Sequence, residues 1–284
     1  MKQKKLIGLP VILALTLVTT GCPEEAPEGQ TGQSGQTSEN VDKLANEPDS
    51  GPAPDAPPLN PDIVNPKVEN APTGKYGGNL SLYAYDDPKT FNPTLVVDGT
   101  SQRFLAYCFD GLVDEDGVTF EIEPALAESW EIADDQKSYV FKLRQGVKWH
   151  DGKPFTADDV VFTWMKVLPN PEIPWDSRDV IKVDGKLPIV TKIDDHTVKF
   201  ELPKPFAPFM RQGVGLTILP KHVFEPWLAK GPDGKVLATS KWGVDADVKT
   251  IVGTGPFKFK SYAAGQRLIL ERNPDYYRVN RHKQ

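Results

Sequence analysis

No aromatic residue precedes Tyr76, and this divides the chain before any element is assigned. All 6 Trp, 8 Tyr and 13 Phe of the 284 residues fall at or after that position. Residues Pro23 to Pro72 hold ten of the 27 Pro, mixed with Gly, Ser, Glu and Gln. Such a segment cannot bury enough apolar surface to offset the entropy of ordering it. It is expected to be a disordered tether. As a flexible coil of about 50 residues its r.m.s. reach would be roughly 40 Å, and more where Pro stiffens it. Any packed core has to come from Thr73 onward.

The first 22 residues are a third kind of material. Lys2, Lys4 and Lys5 precede an apolar run from Leu6 to Val18, which is short for a bilayer span and flanked like an export signal. The following V-T-T-G-C resembles a bacterial lipobox, with Gly21 before a Cys22 that would be lipidated after cleavage. Thr19 stands where that pattern usually has Leu. Two acyl chains on Cys22 would hold the protein on a membrane surface, since a single chain anchors only marginally. The expected location is outside the cell membrane, facing the periplasm or the cell exterior.

Charge follows the same division. The whole chain carries −6, and removing the three Lys of the leader leaves −9. The tether has ten acids against Lys43 and Lys67, a net of −8, so the body from Thr73 to Gln284 is close to neutral at −1. Nucleic-acid binding needs a basic face, and this balance argues against it. With Cys22 lipidated, Cys108 in the apolar FLAYCFDGLV is a buried free thiol and no internal disulfide can form. No Cys/His spacing suggests zinc, and no cofactor is expected.

Periodicity gives a coarse map of the body. GGNLSLYAY alternates as a strand through Leu80, Leu82 and Ala84. Phe104 to Leu112 has helical spacing, followed by a turn over Asp114 to Gly117. IEPALAESWEI reads as a short helical turn leading into a strand. Tyr139, Phe141 and Leu143 form the buried face of another strand. PIVTKI and HTVKFEL read as a hairpin around Asp194 and Asp195, with Val198, Phe200 and Leu202 inward. GPFKFKSY and RLILER pair around Ala264 and Gly265.

The stretch YVFKLRQGVKWHDGKPFTADDVVFTW, with His150 beside Asp151 and then Asp158 and Asp159, looks at first like an active site. Each polar group has a structural reading. Asp151 and Gly152 form a turn, Gly supplying positive φ and Asp bonding its own backbone. Thr156 and Asp159 form a capping box, and Asp158 and Asp159 sit at the positive end of the helix dipole. The helix runs through Val161, Trp164, Met165 and Leu168 and stops before Pro169. His150 has no nucleophile partner in sequence, so this segment is expected to be structural.

With LAESWEI, these residues resemble the signature region of the family 5 extracellular solute-binding proteins, the oligopeptide- and dipeptide-binding components of ABC importers. TFNP followed by FDGLV, the PKHVF at Pro220 to Phe224, and VGTGPFKFKSY…LILERNPDYY agree with the family in order. The resemblance runs from about Lys75 to Tyr277. It implies an α/β, periplasmic-binding-protein-like fold of type II with an extra subdomain. It also implies a monomeric receptor, not an enzyme, that hands a short peptide or similar small solute to ABC permease subunits. Members continue past NPDYY through a second ligand-binding lobe, so the chain is expected to hold only the N-terminal half. The expected divisions are 1–22 leader, 23–72 tether, 73–103 first part of the main lobe, 104–247 extra subdomain, and 248–284 return to the main lobe.

By the same resemblance, Val97, Asp98, Gly99 and Thr100 lie beside the ligand. The loop Ile173 to Ser177 corresponds to where the extra subdomain sends an aromatic toward the cleft. Trp175 has a second reading, packing between Pro residues, and the sequence leaves both open. Two alternatives from other classes remain. One is a lipid-anchored cell-envelope hydrolase using Glu121 and Glu123, or Asp134 and Asp135. The other is a non-transporting solute sensor on the same fold.

Overall fold

The computed structural model describes residues 77–117 and 119–278, all within the second of the chain's two units, Ala53–Gln284. The leader, Cys22 and the 23–72 tether lie outside the described residues.

The best-defined layer is a four-stranded antiparallel sheet. Its strands are β3 (Ala127–Ile132), β4 (Ser138–Leu143), β5 (Ile189–Asp194) and β6 (Thr197–Glu201), in the order β3-β4-β6-β5. Strict alternation gives it one apolar face. Tyr139 pairs with Phe200 and Phe141 with Val198, and all four are buried, whereas Lys142 points to solvent. The expected β5–β6 hairpin and its inward Val198, Phe200 and Leu202 are present.

A helix lies against this face. Helix α2 (Ala157–Phe162) passes into a π turn over Thr163–Val167 and ends at Leu168, before Pro169. The Trp164 ring stands edge-on to Phe200 at 4.9 Å and 89°, and Phe200 is edge-on to Phe141 at 5.4 Å. Burying each such ring is worth about 1.5–3 kcal/mol, so this aromatic stack is a main source of cohesion. The π turn begins at a side chain that competes for backbone bonds. The Thr163 hydroxyl donates to the Asp159 carbonyl at 2.8 Å and accepts from the Leu219 N–H at 3.0 Å. The helix start matches the expected capping box. The Asp159 carboxylate accepts from the Thr156 N–H at 3.0 Å, while the Thr156 hydroxyl approaches the Asp159 N–H without making a regular cap bond.

A second layer is the hairpin of β7 (Phe257–Ala263) and β8 (Arg267–Arg272), turning through Gly265 at φ +68°. Its register shifts between Phe259 and Ser261. An unbroken period of two would send residues 259 and 262 to opposite faces. The bulge restores them to one side, where Phe259 and Tyr262 both contact Phe91 with centroids 5.2 Å away. Phe91 itself is fully buried and is fixed from the other direction, its N–H donating to the Trp242 carbonyl at 2.9 Å. Beside it, the Asn92 side-chain amide donates to the Ala238 carbonyl at 2.8 Å and the Lys241 carbonyl at 3.0 Å.

Four local expectations are corrected. Residues 80–85 form no strand: Leu80, Leu82, Tyr83 and Tyr85 are exposed, and no neighbouring strand is paired with them among the described residues. Alternation marks a segment able to become a strand, and a strand needs a partner. Helix α1 runs Gly99–Leu105, earlier than the spacing suggests. Cys108, Phe109 and Leu112 are buried in the irregular chain after it, so their spacing reflects burial and not helix. Asp114 and Glu115 belong to strand β1 (Val113–Glu115), which leaves the turn to begin at Asp116. The helical turn expected in IEPALAESWEI is replaced by strand β2 (Ile122–Pro124), paired with β1, before β3.

Candidate functional site

The segment expected beside a ligand leads from the anchored Phe91-Asn92 into α1. Asn92 caps a short 3-10 turn over Pro93–Leu95 by accepting from the Thr94 N–H at 3.0 Å. Asp98 caps α1, its Oδ1 accepting from the Ser101 N–H at 2.8 Å. Its Oδ2 is buried with no hydrogen-bond partner among the described residues. Val97 is 74% exposed, Gly99 is exposed with open space around it, and Thr100 is half-buried. The Ser101 hydroxyl accepts from the N–H groups of Lys89 (2.8 Å) and Thr90 (3.3 Å), which ties the start of α1 back to the anchored strand-like segment. The result is an exposed apolar side chain and open backbone on a rigid mount.

Trp175 is 6% exposed and part of the buried core cluster. Its loop is organised by Arg178 of the short helix α3 (Ser177–Val180). The guanidinium donates to the carbonyls of Leu168 (2.5 Å), Asn170 (2.6 Å) and Ile173 (2.5 Å). Five fixed donors on a planar head suit this gathering of carbonyls. An open recess of about 440 Å³ lies beside the loop, lined by Glu172 and Pro174 on one side and Lys235, Val236 and Thr239 on the other. No hydrogen bond or ring contact among the described residues joins Trp175 to Val97–Thr100.

His150 has a structural role that its sequence context did not specify. Its Nδ1 accepts from the Gly253 N–H at 3.1 Å, and its Nε2 contacts the Gly255 carbonyl at 3.0 Å, which places the proton on Nε2 as the donor. Burial lowers its pKa to about 4, so the ring is neutral. The backbone repeats the pairing, the His150 N–H donating to the Gly253 carbonyl at 2.8 Å. The loop Val252-Gly253-Thr254-Gly255 runs flat against Cys108. A Cβ on Gly253 would stand 1.8 Å from the Cys108 carbonyl oxygen, and one on Gly255 would stand 2.5 Å from the Cys108 carbonyl carbon. Burial pushes the Cys108 thiol up, which makes it unreactive. The readable signal for this junction was the Gly-x-Gly spacing.

A polar cluster joins the FDGLV, GTGPF and NPDYY segments. The Asp110 carboxylate is half-buried and accepts from the Thr254 hydroxyl at 3.0 Å. Burial raises its pKa to about 6, against the opposing pull of Thr254 and Arg278. Arg278 reaches Asp114 at 3.0 Å and Glu123 at 3.5 Å, and Arg144 lies over the Tyr277 ring at 5.8 Å. Asn273 closes the junction by donating to the Gly255 carbonyl at 3.0 Å.

One member of each carboxylate pair considered for hydrolysis is engaged otherwise. Asp135 accepts from the Lys137 and Ser138 N–H groups at 2.9 and 3.1 Å, and those backbone bonds lower its pKa. A general acid needs the opposite shift. Glu123 is paired with Arg278.

Three comparisons place this geometry among known proteins. The sequence signature described as bacterial extracellular solute-binding proteins, family 5, middle, matches residues 121–284. The dipeptide-binding protein of Escherichia coli K12 is 34% identical over 206 residues, covering 67% of this chain and 36% of that protein. Heme-binding protein A of Haemophilus influenzae is also 34% identical, with the same two coverages. The periplasmic binding protein DppA of Helicobacter pylori, solved with the peptide STSA, superposes with a TM-score of 0.54 at 30% identity. That match covers 69% of this chain and 39% of that one. The chain thus spans about a third of the length of the curated relatives it matches.

Proposed function

The chain belongs to family 5 of the bacterial extracellular solute-binding proteins, and from that premise we propose that it is part of a substrate-binding component of an ABC importer. Its cargo is a short peptide or a related small solute, captured outside the membrane and passed to permease subunits. The observation that carries this reading is the overlap of the described body with a peptide-bound receptor at 30% identity. A family that takes different solutes accords with the heme-binding relative, which is 34% identical, as the dipeptide-binding one is. Recognition through main-chain groups would let one receptor take peptides of different sequence, because those groups are common to every peptide.

In this reading, Val97, Asp98, Gly99 and Thr100 face the ligand, Trp175 braces the loop at the edge of the extra subdomain, and closure against a second lobe completes the site. The receptor is a monomer held at the membrane by lipidated Cys22, with residues 23–72 as its leash. Calorimetric titration of the mature protein purified from its own cell with di- to pentapeptides tests the reading. Saturable binding at micromolar concentration is expected, and heat-silent titrations across the whole peptide set would remove peptides as the cargo.

A further inference from the structure

On the side of the β7–β8 hairpin next to the His150 junction lies an open recess of about 350 Å³, several times the volume a water molecule takes up in the liquid. Its floor is apolar: Ile251, Val252 and Phe259 line it and are nearly inaccessible to water. Three lysines, Lys249, Lys258 and Lys260, also line it.

The three are held in different ways. The Lys258 ammonium donates to the His150 carbonyl at 3.1 Å, which fixes the head group and leaves two of its three donors for a ligand. Lys260 sits in the register shift between Phe259 and Ser261, the kind of irregularity that re-aims a side chain out of the regular pleat. Its nearest counter-charge is Glu271, at 4.0 Å, too far for a hydrogen bond. Lys249 has no side-chain partner among the described residues. The other acidic group lining the recess, Asp151, is already engaged by His222 at 2.8 Å and approached by Lys153 at 4.0 Å.

We propose that this recess binds a phosphate group, held by the ammonium groups of Lys249, Lys258 and Lys260. A phosphate offers several strong acceptor oxygens and up to two negative charges, so it can satisfy more than one ammonium donor at once. A single carboxylate has fewer acceptor sites to share among them. The apolar floor keeps competing water off one side of the ion and strengthens the attraction relative to an open lysine patch. None of the Val97–Thr100 residues lines this recess.

The phosphate can belong to a soluble anion or to a lipid headgroup, and two arms of one experiment separate these sources. The full chain is titrated with inorganic phosphate at low ionic strength. In parallel the Cys22→Ser variant of the mature chain, which carries no acyl chains of its own, is sedimented with phosphatidylglycerol vesicles and with pure phosphatidylcholine vesicles. Each arm is repeated with the Lys249→Gln/Lys260→Gln variant, and an unchanged thermal midpoint shows that the variant is folded. Saturable phosphate binding weakened at least tenfold in the variant supports a soluble anion. Sedimentation with phosphatidylglycerol alone, weakened to the same extent, supports a headgroup. Should the double variant fail to fold, Lys249→Gln alone serves and is expected to lose at least threefold. Absence of binding in both arms, or binding that the variants leave intact, overturns the proposal.

Discussion

His150 and Gly253 are bonded in both directions: the imidazole Nδ1 accepts the Gly253 N–H at 3.1 Å, and the His150 N–H donates to the Gly253 carbonyl at 2.8 Å. The ring is kept neutral by its burial, so the junction depends on pH. Its folded pKa of about 4 lies below its ordinary value of 6.5. The unfolded chain therefore takes up a proton first as the solution is acidified. The His150 contribution is complete above pH 6.5 and is lost as pH falls toward 4. His150→Gln should lower stability at pH 7.5 by about 2 kcal/mol, the worth of two hydrogen bonds. Its deficit relative to wild type should shrink across that window in urea unfolding. A deficit independent of pH would show that the imidazole is not what responds.

Asp110 should behave with the opposite sign. Its folded pKa is raised from 3.8 to about 6, so the folded protein holds a proton that the unfolded chain has released. That contribution is complete below pH 3.8 and is lost as pH rises through 6. Asn keeps an acceptor for the Thr254 hydroxyl and carries no charge. Asp110→Asn should gain on wild type steadily between pH 4 and pH 7, measured by the same unfolding curves. Parallel curves for the two proteins would mean that Arg278 keeps the carboxylate ionised throughout.

Gly253→Ala should be among the most damaging small substitutions in the body. The added methyl would stand 1.8 Å from the Cys108 carbonyl oxygen, and the obstacle is backbone, which cannot swing aside. Relief requires separating two chain segments that His150 clamps, at a cost of more than about 3 kcal/mol. Gly99→Ala, with nothing within 4 Å of the new methyl, is the control and should be nearly silent. Equal thermal midpoints for the two variants would contradict the close approach.

Asp159 should matter more than Thr156 at the start of α2. Its carboxylate takes three donors: the Thr156 N–H at 3.0 Å, the Lys221 N–H at 2.9 Å and the Trp149 indole at 3.3 Å. Asp159→Ala leaves all three without that acceptor, the buried Trp149 indole most severely, at a cost of about 3 kcal/mol. Thr156→Ala removes a hydroxyl that makes no regular cap bond and should cost about 0.5 kcal/mol, the low end for a lost cap. Chemical denaturation of both variants checks the order, and a larger loss from Thr156 would reverse the assignment.

What could be read in advance was local and periodic. Phe141, Val198 and Phe200 announce their sheet because the pleat puts every second residue on one face. Thr156 and Asp159 announce a helix start because capping needs those residue types at that spacing. What escaped depends on residues far apart in the chain. Asp110, Thr254 and Arg278 meet only in the fold, and His150 acquires its role from Gly253 and Gly255, over a hundred residues later. The segment 80–85 shows the reverse failure, a correct alternation with no strand beside it among the described residues. The family resemblance proposes Val97 to Thr100 as ligand-facing; Val97 and Gly99 are exposed there, Asp98 and Thr100 half-buried, and no periodicity singles the segment out.

Val97 offers the most direct test of where a ligand lies. Its side chain is 74% exposed, on a turn fixed by Asn92 and by the Asp98 cap, so replacing it should disturb binding and leave folding alone. Val97→Arg puts a long charged group on the open side of that turn. If the segment faces the cargo, peptide affinity of the mature protein should fall at least tenfold, or about 1.4 kcal/mol, with an unchanged thermal midpoint. Val97→Ala removes only two methyl groups and should cost a few-fold at most. The graded pair matters, because a residue remote from the ligand would tolerate both changes equally. Calorimetry showing wild-type affinity for the Arg variant would take Val97 out of the binding surface and move the search to the recess beside Pro174.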